Sequence, residues 1–87
     1  MDDVCMRLYD ELVEITKELL PYYDIDKVKY HSVYIWTKDD EFGANVFDIT
    51  ADEIFMYDEE HIIIKESVPI ITKIQQKIKE IENYLNS

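Results

Sequence analysis

Two stretches near opposite ends of the chain carry the same spacing of apolar residues. Cys5, Leu8, Leu12, Ile15 and Leu19 step by three, four, three and four, and so do Ile71, Ile74, Ile78, Ile81 and Leu85. That step keeps each set on one face of an α-helix. A helix with an apolar stripe must bury it against another layer. The spacing predicts helices over residues 4–20 and 67–85. Asp2 or Asp3 is placed to cap the first, and Pro21 stops it. Ser67 is placed to cap the second, where Pro69 is tolerated in the first turn.

The residues between the two stripes follow a different rule. Residues 28–37 (Val28 to Thr37) are rich in β-branched and aromatic types and read as a strand, after a polar turn from Asp24 to Lys27. One face of this strand carries Tyr30, Ser32, Tyr34 and Trp36; the other carries His31, Val33, Ile35 and Thr37. Gly43, the only glycine in the chain, falls in the turn that follows, where a positive φ is most useful. Residues 44–50 form a second strand, with Phe47 and Ile49 opposite Val46 and Asp48. Ala51-Asp52-Glu53 breaks the alternation, Ile54 to Tyr57 forms a third strand, and His61 to Lys65 a short fourth one. The expected fold is α+β: an N-terminal helix, a three- or four-stranded antiparallel meander and a C-terminal helix, with both helices on one face of the sheet. At 87 residues, the whole chain (1–87) reads as one small acidic domain.

Several classes of function fall away at this stage. The single cysteine, Cys5, cannot form an internal disulfide, which fits a reducing compartment. The acidic start and the lack of any apolar run near 20 residues lead to the expectation of a cytoplasmic protein with no membrane partner. His31 and His61, even with Asp58, Glu59 or Glu60, match no zinc spacing, so neither a metal nor another cofactor is expected. Cys5 belongs to an apolar helix stripe. Ser32 and His31 are strand neighbours and would point to opposite faces. With no Gly-rich phosphate loop either, the chain is not expected to be an enzyme.

The charge is more informative. The net charge is −11, which repels nucleic acid and disfavours direct binding to it. Residues 39–64 hold nine acids and no Lys or Arg: Asp39, Asp40, Glu41, Asp48, Asp52, Glu53, Asp58, Glu59 and Glu60. In a meander, the turn with Asp39, Asp40 and Glu41 and the turn with Asp58, Glu59 and Glu60 share one end of the sheet, so six like charges would meet there. That repulsion is relieved when a basic partner covers it. Phe42, Phe47, Phe55 and Tyr57 interleave with the acids, and Tyr34 and Trp36 lie on the preceding strand. An aromatic face around Tyr34, Trp36 and Phe47 is the alternative contact surface.

The expected partner is a protein with a basic surface, such as a nuclease or another nucleic-acid-binding protein. The expected role is inhibitory. It could be a phage-type DNA mimic of the anti-defence or anti-CRISPR kind, in which carboxylates stand in for phosphates, or an immunity protein that plugs a toxin. The alternative is an adaptor that dimerises through its helix stripes, so both a monomer and a homodimer stay open.

Overall fold

The computed structural model describes residues 2–36, 45–57 and 62–87. The order of elements is α1 (Asp3–Lys17), β1 (Asp24–Val28), β2 (Val33–Trp36), β3 (Asn45–Ile49), β4 (Ile54–Met56), a 3-10 turn (Lys65–Ser67) and α2 (Val68–Leu85). The four strands form one antiparallel sheet in the order β1-β2-β3-β4, and the helices pack on it, as the sequence pattern predicts.

Helix α1 starts at Asp2, whose carboxylate accepts the Cys5 backbone N–H at 2.8 Å. The other Asp2 oxygen accepts the Tyr84 hydroxyl at 2.7 Å, tying the start of α1 to the end of α2. These two bonds, the backbone one first, hold the Asp2 carboxyl below its usual pKa. The helix ends at Lys17, short of the expected residue 20 and before Pro21 could stop it: the chain tightens into turns through Leu20 N–H to Lys17 O and Tyr23 N–H to Leu19 O, and Pro21 lies within those turns. At the other helix, Ser67 occupies the N-cap position but makes no capping bond. Its hydroxyl donates backward to Ile64 O at 2.6 Å, closing the 3-10 turn instead.

The core lies between the helix pair and one sheet face. Leu8 and Leu12 of α1, Ile71, Ile74, Ile78 and Ile81 of α2, and Val33, Ile35, Phe47 and Ile49 of the sheet are all buried. Both helix stripes are thus spent mainly inside the chain; Leu85, at the last turn of α2, is exposed. Lys77 bridges the helices on the outside, 2.6 Å from Glu11 and 3.0 Å from Glu80. Among the described residues, no helix is long and apolar enough to cross a membrane.

The strands depart from the sequence pattern in three places. The stretch 28–37 does not run as one strand: Val28 ends β1, and Lys29 N–H to Ser32 O (2.8 Å) closes a turn before β2. Tyr9 packs against this break: its hydroxyl donates to Val28 O at 2.8 Å and its ring meets Tyr30 at 4.9 Å. Asp24 to Lys27, expected as a turn, belongs to β1. A bulge between Ile25 and Lys27 lets Ile25 face Ile35 and Val28 face Val33, hiding the two-residue alternation. Finally, Ile62 to Ile64 form no strand. Tyr23, itself buried, accepts the Ile64 N–H at 2.9 Å and uses a group that a ladder would need.

Candidate functional site on the open face of the sheet

Alternation along β2 and β3 sends Val33, Ile35, Phe47 and Ile49 inward to the helices, and Tyr34, Trp36 and Asp48 outward. Tyr34 pairs with Asp48, and Asp48 with Phe55, so the three stand in a row across the outer face. Tyr57, two residues beyond Phe55, donates its hydroxyl to Asp48 Oδ2. Among the described residues, no helix covers this face.

A hollow of about 360 Å³ opens there, lined by Tyr34, Asp48, Phe55 and Tyr57 from the sheet face and by His31, Ser32 and Thr50 at its turns. The turns are fixed locally. Lys29 N–H to Ser32 O positions His31 and Ser32, and Thr50 closes the β3–β4 hairpin on Glu53 through both its amide and its hydroxyl. The lining mixes aromatic rings with acceptors. Lys29 Nζ lies over the Tyr34 ring, 5.1 Å from its centroid, a cation–π contact within the chain.

Two side-chain oxygens of these lining residues have no hydrogen-bond partner among the described residues: Asp48 Oδ1 and Ser32 Oγ. Their residues are only 7% and 4% exposed. An unpartnered buried acceptor is costly, and a carboxylate oxygen more so. Asp48 forms no ion pair with any described cation. Its bond to Tyr57 pushes the Tyr57 hydroxyl above the usual tyrosine pKa; burial, the Asp48 charge and the neighbouring Tyr34 add to this.

The predicted contact residues divide into three groups. Asp48, Tyr34 and Trp36 lie on the outer face as expected, with Tyr34 and Trp36 half-buried. Asp52 and Glu53 sit apart, in the β3–β4 turn beside α2. Asp52 Oδ1 is 3.6 Å from Lys79 Nζ, and Glu53 O accepts from Gln75. Asp39, Asp40, Glu41, Asp58, Glu59 and Glu60 lie outside the described residues. Trp36 and Tyr57, which lead toward these two acidic stretches, stand at the same end of the sheet, because Trp36 pairs with Asn45 and Tyr57 N–H bonds to Val46 O.

Phe47 belongs to the core and not to the aromatic face, packing edge-on to Tyr23 at 5.1 Å. Residue parity carried this signal, since Phe47 and Asp48 must point to opposite sides. His31 and Ser32, expected to diverge on a strand, line the same hollow because they sit in a turn. Ser32 and Thr50 carried no signal of their own in the sequence; only the position of the turns brings them to Asp48.

Among the described residues, no group of three or more His, Cys, Asp or Glu side chains is placed to hold a metal ion. The site is a hollow lined by aromatic rings and by polar groups that can accept hydrogen bonds. No family model matches the chain, and no curated protein or solved structure is significantly similar to it.

Proposed function

We propose that this chain is a binding protein that covers a basic surface of another protein with the open face of its sheet. One observation carries the reading. Residues 39–64 hold nine acids and no Lys or Arg, and β3 and β4 of that stretch bring one of them, Asp48, to the sheet face opposite the helix-packed core. Charge complementarity then defines the partner, and Tyr34, Trp36, Phe55 and Tyr57 provide the aromatic contact area that charge alone lacks. The setting that suits such a surface is inhibition: a basic site made for phosphates, or the active site of a toxin, is occupied by carboxylates. Binding of this kind is steered by clustered charge, so it acts on the association rate and weakens with salt.

The test starts from partners captured from the native host at low salt. Each purified candidate is then bound by the parent protein and by charge-reversed variants at Asp39, Asp40 and Glu41 or at Asp58, Glu59 and Glu60. Reversal should slow association severalfold and flatten its salt dependence. Lys73→Glu and Lys79→Glu on α2 should not weaken it. Equal affinity for parent and reversed variants, with no effect of salt, would overturn the reading.

A further inference from the structure

We infer that the hollow at Asp48 is the seat for a single arginine side chain of the partner. This inference rests on the binding reading above and names the group that the open face receives. It starts from the pair of unpartnered oxygens, not from the surrounding acids. Asp48 Oδ1 and Ser32 Oγ are both buried and without a partner, and both residues line the same hollow. Each lacks a donor, and one of them belongs to a carboxylate that lacks a cation.

A guanidinium supplies both needs. It carries five N–H donors on a planar, permanently charged fork, so one group can reach two acceptors. It also stacks on aromatic faces, and Tyr34, Phe55 and Tyr57 line the hollow. The volume, about 360 Å³, is near the lower limit of ligand pockets, which suits one side chain and not a large cofactor. Tyr57 occupies Asp48 Oδ2 and leaves Oδ1 for the incoming donor. Phe55 is 49% exposed, and an exposed ring changes rotamer readily, which opens the way to the shielded oxygens while Tyr57 stays on Oδ2. Closing over the guanidinium then removes water and strengthens the ion pair.

The experiment is a titration of the whole, isotope-labelled protein with N-acetyl-arginine amide, followed by backbone amide NMR. N-acetyl-lysine amide and N-acetyl-glutamine amide serve as comparison probes. Arginine should give saturable shifts centred on residues 31–34, 48–50 and 55–57, with lysine weaker and glutamine without effect. Ser32→Ala removes a hydroxyl that holds nothing in the free protein, so the fold is retained and arginine should bind severalfold more weakly. Asp48→Asn should weaken it tenfold or more, and its own spectrum reports whether it is folded. No saturable shift with arginine, equal shifts with glutamine, or unchanged binding in Ser32→Ala and Asp48→Asn would overturn the inference; solvent alone would then serve the two oxygens.

Failure of the seat and failure of the wider reading are separable. A partner bound in a salt-dependent way by a protein whose hollow takes no arginine defeats the seat and keeps the reading. Arginine bound in the hollow, with salt and charge reversal at Asp39, Asp40 and Glu41 or at Asp58, Glu59 and Glu60 all without effect on the partner, does the reverse.

Discussion

Tyr23→Phe tests how the isoleucine-rich stretch 62–64 is held away from the sheet. Tyr23 is buried, and its hydroxyl accepts the Ile64 N–H at 2.9 Å. Deleting the oxygen leaves that backbone donor without its acceptor, which costs about 1–3 kcal/mol when the group is dry. Ile64 is half-buried, so water recovers part of the loss and the lower end, about 1 kcal/mol, applies. The ring remains, and with it the edge-on contact to Phe47 at 5.1 Å. For a domain of this size, about 1 kcal/mol lowers the melting temperature by roughly 4–8 °C. Tyr23→Ala also removes the ring and should cost about 3–5 kcal/mol, a large part of the roughly 4–13 kcal/mol a chain this long holds in reserve. Thermal unfolding followed by circular dichroism reads both. Hydrogen exchange at the Ile64 amide supplies the local measurement and should speed up in Tyr23→Phe. A Tyr23→Phe protein that melts like the parent, with Ile64 equally protected, would refute the claim that this bond fixes the stretch.

Three further outcomes follow from the same structure. Stability should fall as pH rises above about 10, because Tyr57, Tyr84 and Lys77 all have raised pKa values in the fold; each favours its protonated form when folded, so its contribution is present below the unfolded pKa and lost above it. In urea titrations at pH 8 and pH 10.5, the double variant Tyr57→Phe, Tyr84→Phe should show a smaller alkaline loss than the parent, and an equal loss would contradict this. Cys5 is buried on α1, so a thiol reagent should label it slowly in buffer and quickly in urea; fast labelling in buffer would mean that α1 opens. Sedimentation at micromolar concentration should give the monomer mass of 10.5 kDa, because the helix stripes are consumed in the core; a dimer dissociated by a stripe substitution that leaves the monomer folded would reverse that.

The helices were legible, apart from the end of α1 at Lys17 and the missing Ser67 cap, because their stripes are long and their partner surface lies within the chain. The strands were legible only where alternation survives. It survives from Phe47 to Ile49 of β3, and fails at Val46, which the β2–β3 register skips and which joins the core, and in β1, where the bulge at Asp26 shifts the register. The turn at Lys29 to Ser32 contains no Gly, Pro, Asn or Asp, only Ser32 as a weak turn former, and it is buttressed by Tyr9, about twenty residues earlier, which contacts Val28 and Tyr30. A contact of that range leaves no local mark. The same reason explains the site. Asp48 could be read as an outward acid, but its burial beneath Tyr57, and its sharing of a hollow with Ser32, depend on a turn and a hairpin that meet only in the folded chain.

The most direct test of the account is the footprint of a bound basic partner on this chain. Amide shifts or protection from exchange, measured with and without the captured partner, should concentrate on residues 33–36, 45–49 and 54–57 and leave the outer surface of α1 and α2 unchanged. A footprint on the helices, with the sheet face as in the free protein, would contradict it.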